Sequence, residues 1–228
     1  MAKISTNEAA ALRDRMLKVH APNHVCRPDT RLVIEGYPRS SNSFAVDVVA
    51  EAAGSVLPRH FIAHHTHEVD NLRLADAYGI PKIILIREPG DAILSFHIYS
   101  KASVEACANR YAEFYRQCLT MMDKTAVVHF RDVTTNIGSV VAKINAVGNF
   151  GIDETQDFDA IRERALALVR SRASKDDQDL ATRQVAAPDA RREALKNELR
   201  ADVQSYLASR SELNEIYEKI LSVGNLPS

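Results

Sequence analysis

The sequence predicts an α/β fold, a three-layer sandwich around a central, mostly parallel sheet, and three observations predict it. Short β-branched runs alternate with segments of helical periodicity along the chain. One run, Lys82-Ile83-Ile84-Leu85-Ile86-Arg87, is apolar almost throughout, as expected of a strand covered on both faces. The stretch from Arg31 to Phe44 passes from strand to Gly/Pro/Ser loop to helix start without a break. Units of this kind join parallel strands by right-handed crossovers.

The elements follow in order. Residues 6–19 predict a helix, with Ala9, Leu12, Met16 and Val19 on one side. A strand over 31–36 precedes the loop, and the helix behind it runs to about Ala53 and closes near Gly54. A second strand covers His60 to His64, and Asp70 or Asn71 caps a short helix carrying Leu72, Leu74 and Ala75, ended by Gly79 and Pro81. After the strand at 82–87, Pro89 occupies a first helical position and its helix reaches about Ser100. A long helix over 103–122 and a strand from Thr125 to Phe130 come next. Ile137, Val140, Val141, Ile144 and Val147 then lie at helical spacing, with Gly148 as the stop. Another helix covers roughly 155–170, and residues 171–187 are polar and irregular, a predicted mobile lid. Helices from Pro188 to about Ser209 and from Ser211 to Leu221 finish the chain, which shows no repeat and no low-complexity linker. The 228 residues, 1–228, therefore read as a single α/β domain.

Composition narrows the function classes. With 46% hydrophobic and 26% charged residues the chain is ordinary for a soluble globular protein. A net charge of −1 gives no basic field for nucleic acid or an anionic membrane surface. No run approaches the roughly 20 apolar residues of a spanning helix, and Met1 to His20 carries charges throughout, unlike a leader or an anchor. Cys26, Cys107 and Cys118 are odd in number and have no metal or redox spacing, which fits buried thiols in a reducing compartment. The expected location is cytoplasmic. The oligomeric state stays open, a homo-oligomer included.

In a parallel sheet ligands sit beyond the carboxyl ends of the strands, and three polar clusters fall there: 37–43, 64–70 and 87–95. The first, Tyr37-Pro38-Arg39-Ser40-Ser41-Asn42-Ser43, reads as a phosphate-binding loop without the usual lysine, P-loop-like in its topology. Gly36 and Ser43 keep the register of G-x-x-x-x-G-K-[ST], but Ser41 replaces the second glycine and Asn42 the lysine. Arg39, the hydroxyls of Ser40, Ser41 and Ser43, and backbone N–H groups at the helix start would surround a tetrahedral anion. The plainer alternative is a βα turn with Ser43 as helix cap. In the cluster after the third strand, Arg87 leaves a buried segment and calls for a phosphate or an internal carboxylate, Glu88 or Asp91, with Ser95 one turn beyond. In His64-His65-Thr66-His67 the chemistry of a single histidine suits a general base, and nothing nearby completes a metal site.

Taken in order, Tyr37-Pro38-Arg39-Ser40-Ser41-Asn42-Ser43-Phe44, His65-Thr66-His67 and Arg87-Glu88-Pro89-Gly90-Asp91 with Ser95 resemble the PAPS-dependent sulfotransferase family. The first block is similar to its 5′-phosphosulfate loop, the last to its 3′-phosphate motif, and the histidine block to its K-x-H segment. Val128-His129-Phe130-Arg131-Asp132 resembles the later strand that ends in a [YF]-E-D-like turn. The resemblance covers roughly residues 31–150. It implies sulfuryl transfer from PAPS (3′-phosphoadenylyl sulfate) to a hydroxyl or amine of a small-molecule, lipid or carbohydrate acceptor, with PAP as product and no metal. It further implies that Arg39 and His67 are catalytic, Arg39 standing where the family has lysine and His67 acting as base. Nucleotide contacts would come from Arg39, Ser40, Ser41, Asn42, Ser43, Phe44, Arg87 and Ser95. Three departures stand out. Ser41 occupies the loop-glycine position, His65 the lysine position, and the late R-K-G segment is missing, with Arg172, Lys175 or Arg183 as substitutes. Two rival readings remain: a nucleotide kinase or other P-loop phosphotransferase, which the absent loop lysine and Mg²⁺ carboxylates oppose, and a non-catalytic nucleotide- or anion-binding protein.

Overall fold

The computed structural model describes residues 4–172 and 190–224. Four strands, β1 (Leu32–Gly36), β2 (Ile62–His64), β3 (Lys82–Ile86) and β4 (Thr125–His129), form one sheet in the order β2-β1-β3-β4. All three pairings are parallel, with Ile34 opposite His64, Val33 opposite Lys82 and Ile84 opposite Val127. Every residue of β1 and β3 is buried, the charged Glu35 and Lys82 together with their apolar neighbours.

The helices are α1 (Thr6–Met16), α2 (Asn42–Ala53), α3 (Val69–Tyr78), α4 (Pro89–Ser100) and α5 (Val104–Cys118). They continue as α6 (Phe130–Thr135), α7 (Ile137–Gly148), α8 (Phe158–Ser171), α9 (Ala190–Leu207) and α10 (Glu212–Gly224). Alternation along the strands divides the core into two layers. Leu32, Ile34, Ile83, Leu85 and Val128 pack against α2, α7 and α8. Val33, Ile84, Ile86 and Val127 pack against α1, α3, α4, α5 and α10. This is the three-layer α/β sandwich that the sequence predicts.

Boundaries differ where local chemistry intervenes. α1 stops at Met16, and Val19, expected on its apolar side, is 74% exposed. β2 begins only at Ile62 because Arg59–Phe61 makes a turn of 3-10 helix behind Pro58. Glu68, rather than Asp70 or Asn71, precedes α3. α5 ends at Cys118, short of residue 122. Phe130 does not end a strand: the His129 ring accepts from the Arg131 amide and caps α6, which the sequence reading lacked. The three cysteines are buried and free. From residue 173 on, the predicted lid at 171–187 lies outside the described residues, as do Lys175 and Arg183.

Strand order locates the site. β1 connects through α2 outward to β2, whereas β3 connects through α4 and α5 outward the other way to β4. The crossovers diverge between β1 and β3, opening a crevice at their carboxyl ends. Gly36 permits this closeness, since a Cβ there would stand 2.7 Å from the Leu85 carbonyl oxygen and 2.8 Å from the Leu85 Cβ.

Candidate active site

A cavity of about 1140 Å³ occupies that crevice. Arg39, Ser41, Asn42, Ser43, Phe44, His67, Arg87 and Ser95 all line it. Ser40 does not line it and is fully buried beside the Tyr115 phenol.

The loop after β1 is held in an unusual backbone shape. Arg39 and Ser41 have φ of 71° and 69°. Ser41, standing where the resemblance asks for glycine, therefore adopts the left-handed conformation itself, at a cost of roughly 1–2 kcal/mol. Asn42 folds back and donates from Nδ2 to the Tyr37 carbonyl at 3.1 Å, which ties the loop to its own start. The Ser43 hydroxyl lies 3.3 Å from His65 Nδ1. No side chain caps α2, so its first-turn N–H groups and dipole are directed at the cavity.

The loop after β3 meets the first loop directly. Arg87 Nη1 donates to the Arg39 carbonyl at 3.2 Å, and Nη2 reaches Asp91 at 3.4 Å. The guanidinium lies over the Phe130 ring at 4.2 Å, a role for α6 that sequence reasoning missed. Arg87 Nε is buried and has no partner among the described residues. Burial draws the Arg87 pKa down while Asp91 opposes it; the group stays cationic. Arg39 Nε donates to Ser95 Oγ at 3.4 Å, and its guanidinium stands 5.2 Å from the Tyr99 ring centroid. The Arg87–Asp91 pair is one of the plain alternatives for this segment, and the paired side chain still lines the cavity.

Other basic residues arrive from the C-terminal half. Arg200 on α9 donates to Asp91 at 3.1 Å, and Lys196, one turn earlier, pairs with Glu193. Both line the cavity. Arg172 also lines it, but its guanidinium makes a bidentate pair with the buried Asp47 of α2, which Arg59 also contacts. Among the described residues the lining holds Arg39, Arg87, Arg110, Arg162, Arg172, Lys196 and Arg200 against Asp91, Glu163 and Glu193. An anion is the fitting occupant in a chain of net charge −1.

The histidine block supplies a group of different chemistry. His67 Nδ1 lies 2.8 Å from the Gly36 carbonyl oxygen. A carbonyl only accepts, so Nδ1 carries the proton and Nε2 holds a lone pair. Burial lowers the His67 pKa to about 3, helped by His65 and opposed by the Gly36 hydrogen bond. Burial likewise brings His65 to about 4 and His64 to about 2. The His24 and His64 ring centroids lie 4.8 Å apart, as do those of His65 and His67. Among the described residues, however, no group of three His, Cys, Asp or Glu is arranged to hold a metal ion.

No protein-family model matches the chain, and no curated protein matches it. Among solved structures it is similar to the crystal structure of mouse sulfotransferase SULT7A1 complexed with PAP, at 15% identity over 94% of this chain and 95% of that one. The TM-score is 0.53, a likeness that shows the fold. No helix among the described residues is long and apolar enough to cross a membrane.

Proposed function

We propose that this chain transfers a sulfuryl group from PAPS to a hydroxyl or amine of a small-molecule, lipid or carbohydrate acceptor and releases PAP. The observation that carries the reading is the meeting of three things in one crevice: the strained Arg39 loop, the Arg87 loop bonded to it, and a histidine with a free Nε2 lone pair. Likeness in fold to a sulfotransferase crystallised with PAP agrees with it. A doubly phosphorylated nucleotide fits the residues present, because the α2 amides and the unpartnered Arg87 Nε are donors with no internal acceptor to satisfy them.

On this reading Arg87 and Ser95 hold the 3′-phosphate. Arg200 and Lys196 stand in for the missing late segment, in place of the substitutes named from sequence. The 5′-phosphosulfate lies against the loop amides, with Ser41, Asn42, Ser43 and Phe44 around it and Ser40 packed behind. PAPS, when bound, supplies an activated sulfuryl group on a phosphate leaving group. His67 Nε2 takes the acceptor's proton as the new bond from the acceptor oxygen or nitrogen to sulfur forms. Arg39 releases its Ser95 contact and offsets charge on the departing phosphate oxygen as the old bond breaks.

Thermal stabilisation by PAP, set against Mg-ATP, tests this reading. A ligand at 100 times its Kd adds about 2.7 kcal/mol to folding. Stabilisation by PAP with no response to Mg-ATP is expected; the reverse pattern would favour a P-loop phosphotransferase and overturn the proposal.

A further inference from the structure

We infer that Glu35, on β1 and outside every recognised motif, is a positioning residue whose buried carboxylate fixes the backbone of Thr66 and His67 and, through it, the tautomer and aim of the His67 ring. The inference rests on the sulfotransferase reading only for the use made of His67.

Glu35 is fully buried and makes no ion pair with any described residue. Four donors surround its carboxylate instead. Oε1 accepts from the Thr66 amide at 2.9 Å, the Thr66 hydroxyl at 2.7 Å and Asn71 Nδ2 at 2.8 Å, while Oε2 accepts from the His67 amide at 2.9 Å. Asn71 is tied down in turn, donating to the His24 carbonyl and accepting from the Cys26 amide. A carboxylate buried without a cation is costly, so an apolar residue would serve a merely structural purpose better. Burial outweighs these hydrogen bonds and raises the Glu35 pKa to about 6.

What the carboxylate holds is a segment that would not keep its shape alone. β1 and β2 pair from Leu32–Ile62 to Ile34–His64, and the ladder ends there. Beyond it His65 and His67 have φ of 69° and 56°, left-handed values that cost non-glycine residues roughly 1–2 kcal/mol each. The amides of Thr66 and His67 have lost the ladder, and Glu35 accepts both. The next residue of the strand, Gly36, accepts the His67 ring proton through its carbonyl. Two consecutive β1 residues thus grip the backbone and the ring of one histidine, leaving Nε2 free to face the cavity. An orienting partner behind a general base is a recurrent arrangement at active sites.

The test reads the ring itself. Long-range ¹H–¹⁵N spectra of the ligand-free chain, carrying ¹⁵N-histidine, report the His67 tautomer in wild type, Glu35→Gln and Glu35→Asp. Wild type is expected as a single Nδ1–H tautomer. Glu35→Gln turns an NH₂ group toward donors and Glu35→Asp withdraws the carboxylate by one methylene, so both are expected to give mixed tautomers. PAP-induced stabilisation should stay close to wild type in both, and sulfuryl transfer, where wild type performs it, should fall about 10–100-fold in kcat. Adding Glu35→Gln to His67→Ala should cost no further activity. An unchanged tautomer in a folded variant overturns the inference. If neither variant folds, a wild-type Nε2–H tautomer, or Thr66 and His67 amides that exchange as fast as exposed loop amides, overturns it as well. A wild type that shows the Nδ1–H tautomer but no transfer from PAPS would refute the functional reading and leave the positioning role standing.

Discussion

Replacing Arg87 separates the proposed nucleotide from any other anion. The side chain reaches the Arg39 carbonyl at 3.2 Å and Asp91 at 3.4 Å, and it stacks on Phe130. In Arg87→Ala these contacts go, but Asp91 keeps Arg200 at 3.1 Å, so no carboxylate is stranded. Two long hydrogen bonds and one cation–π contact together amount to about 2 kcal/mol of stability. For a chain of 228 residues that lowers Tm by about 4–8 °C and leaves a folded protein to assay. A charge-assisted hydrogen bond to phosphate contributes about 1.5–3 kcal/mol, which converts to a loss of roughly 10–150-fold in affinity. Calorimetric titration with PAP and with its 3′-dephosphorylated analogue, adenosine 5′-phosphate, should therefore show a large loss for the first and less than about threefold for the second. Equal losses for the two nucleotides would refute the assignment of Arg87 to the 3′-phosphate.

Three further outcomes follow from the same geometry. His67→Ala is expected to lower kcat about 10²–10⁴-fold while PAP affinity holds, and steady-state kinetics within a few-fold of wild type would remove His67 from the mechanism. Ser41→Gly exchanges about 1–2 kcal/mol of left-handed strain for about 0.5–1 kcal/mol of unfolded-chain entropy; its urea midpoint should match or exceed wild type, and a marked loss would show that the Ser41 side chain supports the loop. Stability should fall as pH drops from 6.5 toward 4. His64, His65 and His67 stay neutral in the fold, with pKa values of about 2, 4 and 3, but take up protons once unfolded. Each such group contributes up to about 1.4 kcal/mol per pH unit. Glu35 works the other way between 4.5 and about 6, where the folded form holds the proton and the unfolded form has released it. The net expectation is that two histidines' worth of destabilisation appears in urea titrations between pH 6 and 5, and a flat profile would refute it.

The order of the four strands and of every helix but α6, the buried character of β3 and the strand–loop–helix turn behind β1 were determined by the sequence alone. Hydrophobic period and Gly/Pro punctuation are local signals, and β1, α2, β3 and α4 follow from nearest neighbours along the chain. Arg39, Arg87 and His67 could be named because each follows a strand end, and parallel strands bring those ends to one edge. Tertiary structure decided what needs contact across distant segments. Arg200 comes to Asp91 from 109 residues away, and Arg172 goes to Asp47 from 125. Phe130 serves Arg87 only because α6 replaces a predicted strand end. Glu35 interrupts the apolar run of β1, and only the fold closes Thr66, His67 and Asn71 around it. Left-handed backbone at Ser41 was equally illegible, because such conformations are held by surroundings that no local propensity encodes. Local pattern sets the elements and their edge; the partners of each charge are fixed by packing.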